Sequence, residues 1–165
     1  MKARITHTEC PIARTLQSLG AWWSLLILRD AFQGATRFDH FQKSLGIAPN
    51  ILSQRLSQLT DAGLFQRRLY SERPPRYEYV LTTQGRDFFP IVVAVFAWGN
   101  KHLFPEGQAV QLANARSKRP VDPVLIDAAS RKPILPTEVV LVPGPNARPR
   151  MRKHLAALKP FANAD

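Results

Sequence analysis

Cysteine is nearly absent, with Cys10 alone among 165 residues, and this excludes the disulfide-stapled scaffolds of small secreted domains. Long apolar runs are missing too. The stretch Ala21 to Leu28 is interrupted by Ser24 and closed by Arg29, far short of the roughly 20 apolar residues that a bilayer demands. Met1 to Cys10 carries Lys2, Arg4, His7 and Glu9, where a signal peptide would be continuously apolar. A cytoplasmic location without a transmembrane helix is the expectation. Glycine-rich phosphate loops, a nucleophile elbow, a metal-binding helix motif and an evident acid/base pair are lacking, which argues against an enzyme and against a cofactor. His7, His40, His102 and His154 are scattered, without the spacing of a metal site.

Acidic residues are scarce. Twelve Asp+Glu face 23 Lys+Arg, for a formal charge of +11, and such a field attracts polyanions, nucleic acid first among them. The excess is spread along the chain: residues 1–104 hold 13 Lys+Arg against 7 Asp+Glu, and residues 105–165 hold 10 against 5. Proline is not spread. Nine of the fourteen lie in the last 61 residues, which places a boundary near Leu103 to Gly107 and separates a domain at 10–104 from a basic, proline-rich extension at 105–165. No internal repeat stands out. In the extension, Val121 to Ile126 and Val139 to Val142 read as short β strands, and Arg148 to Leu158 as a short basic helix.

Ahead of the boundary, apolar residues recur at helical spacing. Pro11 opens a helix with Ile12, Ala13, Leu16 and Leu19 on one face, and Gly20 stands just beyond it. Trp23, Leu26, Ile27 and Phe32 mark a second, mostly buried helix that stops at Gly34. Phe38, Phe41 and Leu45 give a short third helix ending at Gly46. Pro49 then starts a fourth, with Ile51 or Leu52, Leu56 and Leu59 on its core face and Gly63 as its stop. A short helix, a glycine turn and a longer helix form the helix-turn-helix pattern.

Leu64 to Ser71 and Tyr77 to Thr82 are strand-like and flank Glu72-Arg73-Pro74-Pro75-Arg76, so they predict a hairpin with a stiff, basic tip. Arg86 to Leu103 returns to helix. The fold class is therefore α+β, mainly α: a winged helix-turn-helix from about Thr36 to Thr83, with flanking helices and a partly β extension.

The helix beginning at Pro49 is the candidate reader, spanning about 49–62. With its leucines facing the core, Asn50, Ser53 and Gln54 lie outward near the helix start, where amides and hydroxyls can bond base edges in a major groove. Arg55 and Ser57 are candidates for phosphate contacts, which set register without carrying sequence information. On the wing, at about 71–77, Arg73 and Arg76 flank a rigid Pro-Pro and would meet backbone or minor groove. Double-stranded DNA is the expected partner. The alternative is a winged-helix module that binds protein or RNA.

These elements resemble the HxlR family of bacterial winged helix-turn-helix regulators, which share the MarR-like architecture. The resemblance rests on ordered pieces: Cys10-Pro11, Trp23-Ser24-Leu25-Leu26-Ile27-Leu28-Arg29, Arg37-Phe38, and Leu52-Ser53-Gln54-Arg55-Leu56-Ser57-Gln58-Leu59. It continues through Asp61-Ala62-Gly63-Leu64, Arg67-Arg68, Pro74-Pro75-Arg76-Tyr77-Glu78-Tyr79 and Leu81-Thr82-Thr83-Gln84-Gly85. It implies a homodimer whose first and last winged-domain helices meet, with Ile12, Leu16, Phe88, Phe89, Val92 and Phe96 as interface candidates. It also implies a transcription regulator, of which repression is the simplest form, on a pseudo-palindromic operator.

Cys10 stands ahead of a helix N-terminus with Arg14 one turn on, and both features favour a thiolate. Some members of the resembled family sense oxidants or electrophiles with a cysteine here; an unreactive thiol is the other reading. A small-molecule effector between the aromatic helices is a further expectation. The resemblance ends near Phe104, and the extension is read as a structural or dimer-supporting appendage, an extra DNA contact, or an effector-binding or protein-binding piece.

Overall fold

The computed structural model describes residues 10–20 and 22–157, which form two compact units that divide after Val110. In the first unit, α1 (Pro11–Leu19) begins at a proline whose missing N–H costs nothing in the first turn. It ends where Gly20 N–H donates to the Leu16 carbonyl at 3.0 Å. Next, α2 (Trp23–Phe32) buries Ser24, Ile27, Leu28 and Asp30. The Ser24 hydroxyl donates to the Leu19 carbonyl and so caps the end of α1 from inside the core. Asp30 is buried but takes the Arg29 guanidinium at 2.7 Å, as a charge so placed requires.

The helix-turn-helix follows as α3 (Phe38–Leu45) and α4 (Pro49–Asp61). Between them Gly46 is left-handed, with φ +60°, and its N–H donates to Gln42 O at 3.0 Å. That conformation is cheap only for a residue without Cβ. Phe41, Ile47, Leu52, Leu56 and Leu59 then join Leu19, Ile27, Leu28, Leu64, Phe65 and Phe88 in one core, with the Phe41 and Phe65 rings edge to face at 6.3 Å.

The wing pairs β1 (Phe65–Glu72) antiparallel with β2 (Pro75–Leu81), from Phe65 opposite Leu81 out to Glu72 opposite Pro75. Tyr79 N–H donates to Thr36 O at 2.7 Å, and Arg37 bridges Glu78, so the chain ahead of α3 lies along the outer edge of β2. Sequence reading expects one helix from Arg86 to Leu103. Instead α5 (Thr83–Arg86) is a single short turn and α6 (Phe89–His102) starts afresh, because Pro90 can neither donate to the preceding turn nor avoid its carbonyls.

Thr82 joins these pieces. Its hydroxyl accepts from Gly85 N–H at 3.0 Å and donates to Gly63 O at 2.5 Å, while its own N–H donates to Leu64 O at 3.1 Å. Gly85 is buried hard against Leu64, and a Cβ built there would fall inside the contact radius of the Leu64 carbonyl oxygen. Beyond α6, the Asn100 side-chain amide donates to Val110 O at 2.9 Å, which holds the chain to the first unit past the proline-defined boundary.

In the second unit the expected strands do not form. Among its described residues only single bridges occur, Ala113 with Pro120 and Ile126 with Pro133, since prolines at 120, 123, 133 and 136 remove the donors a ladder would need. A 3₁₀ turn spans Pro136–Glu138, and the expected basic helix is present as α7 (Pro149–Ala156). Residue 158, at the end of that expected helix, lies outside the described residues. The two bridged turns are copies of one another, an internal repeat that the sequence reading did not find.

Candidate nucleic-acid interface

Leu52, Leu56 and Leu59 fix the rotation of α4 by filling the core. Asn50, Ser53, Gln54 and Ser57 are consequently exposed along the opposite side, at the i, i+3, i+4 and i+7 positions of one helical face. Pro49 and Ala48 ahead of them are exposed as well, and no side chain caps the N-terminus of α4. Its first N–H groups and positive dipole end therefore face outward, as anion binding at a helix start requires.

Arg55 departs from the expectation of a phosphate contact. It is half-buried, its Nη1 donates to Gln58 Oε1 at 2.5 Å, and both side chains sit over the C-terminus of α1. A Cβ on Gly20 would come within 3.0 Å of Arg55 Nη1 and 3.1 Å of Gln58 Oε1. The guanidinium meets the negative end of a helix dipole there, so it braces α4 against α1 and is not presented outward.

On the wing, Arg73 and Arg76 are exposed at the tip, and the Ser71 hydroxyl donates across the tip to Pro74 O at 3.1 Å. Neighbouring arginines divide by strand parity. Arg68 pairs with Glu78 directly opposite, with Nη2 to Oε1 at 2.8 Å. Arg67 instead lies over the Tyr77 ring, 3.6 Å from its centroid, and is exposed; Arg37 lies over Tyr70 at 4.9 Å. These stacked guanidiniums are held by aromatic faces without losing their charge. Sequence reading missed Arg67 as a member of the basic wing, although the aromatic residues at alternate strand positions were the available signal; Arg37, ahead of α3, is paired with Asp39 at 3.3 Å.

Glu78 is the wing's internal counter-charge. The hydrogen bond from Arg68, helped by Thr36 and by the positive fields of Arg68 and Arg37, holds its carboxyl below the ordinary value of 4.5. A lowered folded pKa stabilises the fold above 4.5, and that contribution is lost as pH falls through the lowered value. In a carboxyl NMR titration, Glu78 is expected to titrate below 4.5 and to move upward in Arg68→Ala. Identical titrations in the two proteins would contradict the pairing.

The interface candidates separate into two groups. Phe88 is 7% exposed and belongs to the protomer's own core, which corrects its expected place on a dimer face. Val92 and Phe96 are half-buried, and Val92 packs on the core. Ile12 and Leu16 on α1 and Phe89 on α6 are exposed, and Val95 and Trp98 join them at 53% and 58%. No residue of α6 is buried, although ten of its fourteen residues, the run from Phe89 to Trp98, are Phe, Pro, Ile, Val, Ala or Trp. Cys10 is half-buried at the N-cap of α1, its carbonyl accepting from Arg14 N–H at 3.1 Å. Among the described residues no cluster of His, Cys, Asp and Glu could hold a metal, and no helix is long and apolar enough to cross a membrane.

The model of the HxlR-like helix-turn-helix matches residues 18–106. An uncharacterised helix-turn-helix-type transcriptional regulator of Mycobacterium tuberculosis is 39% identical over 141 residues, covering 85% of this chain and 89% of the relative. A solved structure described as that of a candidate transcription factor from Pseudomonas aeruginosa is 47% identical with a TM-score of 0.65, covering 88% of this chain and all of the other. The reduced form of the redox regulator HypR is 30% identical with a TM-score of 0.53, covering 59% of this chain and 99% of the other.

Proposed function

The chain belongs to the HxlR-like helix-turn-helix family of transcriptional regulators, and from that premise we propose that it acts as a homodimeric repressor on a pseudo-palindromic operator. In each protomer α4 enters the major groove, with Asn50, Ser53 and Gln54 on base edges and Ser57 and the N–H groups after Pro49 on phosphates. Arg73 and Arg76 carry the wing onto the backbone or minor groove, with Arg67 as a further cation beside them. The observation that carries this reading is the uncapped start of α4 and its exposed Asn50, Ser53, Gln54 and Ser57, set opposite a fully buried leucine face. Two-fold pairing through α1 and α6 places two such helices on successive major grooves. Such a regulator works in the cytoplasm, where promoters are.

Binding to the intergenic DNA upstream of its own gene, measured over a salt series, tests the reading. Gln54→Ala is expected to reduce discrimination between the operator and mutated sites by roughly 5- to 100-fold, the worth of a good base contact. Arg76→Ala should weaken binding to all sequences and flatten the log–log salt slope by about one. Wild-type affinity without any surplus for a specific sequence would instead favour an interaction module for protein or RNA.

Cys10 is where a redox or electrophile signal would reach the α1 face, a reading supported by the likeness to a regulator named for redox control. Diamide is expected to change operator affinity by roughly 5-fold or more, the lower range of allosteric coupling, and to leave Cys10→Ser unaffected. Equal wild-type affinities before and after treatment would remove the cysteine from the account, leaving an effector at the aromatic helices as the route for control.

A further inference from the structure

Residues 112–121 and 125–134 fold into the same turn, with Asn114 and Asp127 thirteen positions apart. Asn114 Oδ1 accepts the N–H groups of Arg116 and Ser117 at 3.0 and 2.9 Å, and the Asp127 carboxylate accepts those of Ala129 and Ser130 at 3.3 and 2.8 Å. The N–H of Lys118 donates back to Asn114 O at 2.9 Å, and that of Arg131 to Asp127 O at 2.8 Å. Each loop closes identically, through Asn114 N–H to Arg119 O and Asp127 N–H to Lys132 O, both at 2.9 Å. Pro120 and Pro133 follow at the same place.

Both turns put a cation where the backbone is costly. Lys118 has φ +58° and Arg131 φ +61°, and among the described residues no other non-glycine residue has positive φ. A left-handed conformation crowds the Cβ of an L-residue against its own backbone, which glycine would avoid. Each is followed by a second cation, Arg119 or Lys132, and all four side chains belong to exposed residues. Among the described residues none of the four is in an ion pair. Local packing does not explain a long cationic side chain kept twice at a strained, exposed position, so the reason lies with what the charge meets outside.

We propose that the two turns are a duplicated phosphate grip, in which Lys118-Arg119 and Arg131-Lys132 bind the backbone of duplex DNA without reading its sequence. The grip rests on the DNA-binding function proposed above and adds a sequence-independent contact to it. The carboxamide and carboxylate at the turn centres spend their oxygens on main-chain amides, which keeps the loops rigid, and the paired cations outside supply the attraction.

The test uses the full chain with Lys118→Gly, Arg131→Gly, Arg119→Gln and Lys132→Gln combined. Glycine suits the left-handed positions, so thermal denaturation should show no loss of stability. Affinity for both operator and unrelated duplex is expected to fall roughly 10- to 100-fold near physiological salt, and the salt slope to flatten by about 2–4. Discrimination between the two DNAs stays as in the wild type. Should wild-type protein bind no duplex, the DNA reading itself fails. If the wild type binds and the variant matches its affinity and slope, the grip alone is overturned. A variant that loses affinity for homopolymeric RNA while keeping duplex binding also overturns it.

Discussion

Gly85→Ala is expected to unfold the winged domain or to leave it severely weakened. The residue is buried, and the new methyl would be driven into the carbonyl oxygen of Leu64, with Leu81 Cδ2 at 3.1 Å on another side. A side chain in that place can rotate aside; a main-chain carbonyl cannot. Leu64 O also accepts from Thr82 N–H, so moving it breaks the junction between the end of α4 and the start of α5. Overpacking of a rigid site costs up to about 3 kcal/mol and sometimes more, which for a domain of this size lowers Tm by roughly 10–20 °C. Circular dichroism melts compare it with Gly144→Ala, where a Cβ meets nothing within 4 Å. Equal melting temperatures for the two variants would show that the close approach has no energetic consequence.

Val95→Glu combined with Trp98→Glu is expected to produce a folded monomer that no longer holds an operator. Both side chains project from a helix with no buried residue, and on α1 Ile12 and Leu16 are 71% and 61% exposed. Apolar surface removed from water contributes about 25 cal/mol per Å², and in the proposed dimer the exposed apolar residues of α1 and α6 would supply it. Glutamates on both copies would force desolvated like charges against one another, which costs several kcal/mol per ion. A monomer also forfeits the effective concentration that ties one half-site to the other, worth roughly 10²–10⁴ in affinity. Light scattering should report half the wild-type mass, operator binding should fall at least 100-fold, and the far-UV spectrum should stay unchanged because neither residue is in the core. A dimer that persists in this variant would remove α6 from the interface.

Most of the winged domain was legible because its punctuation is chemical. Pro11 and Pro49 open helices, Gly20, Gly46 and Gly63 close them, and the leucines at 52, 56 and 59 fix which side of α4 faces out. The exposure of Asn50, Ser53, Gln54 and Ser57 followed from that period alone. Arg55 did not, because the space it occupies is the side chain that Gly20 lacks, a contact across 35 positions that no periodicity encodes. A continuous helix from Arg86 to Leu103 groups Phe88 with the aromatic residues of α6; the restart at Phe89 separates it from them, and Phe88 lies in the core. The doubled turn was hidden by conservative exchange. Only Ala, Ser and Pro are identical between Asn114-Ala-Arg-Ser-Lys-Arg-Pro and Asp127-Ala-Ala-Ser-Arg-Lys-Pro, and the likeness lies in hydrogen bonds that Asn and Asp make equally well.

The hydroxyl of Thr82 has a mechanical consequence. Together with Thr82 N–H and the Gln84 amide, which reaches Ala62 O at 3.4 Å, it takes up three successive carbonyls, of Ala62, Gly63 and Leu64, at the exit of α4. The exit of α4 is therefore clamped to α5, the turn that leads into α6. A disturbance at the α6 face would carry α4 along as one arm of a lever. In the proposed dimer, a signal arriving at α6 would alter the spacing and tilt between the two α4 helices and leave the exposed face of each unchanged.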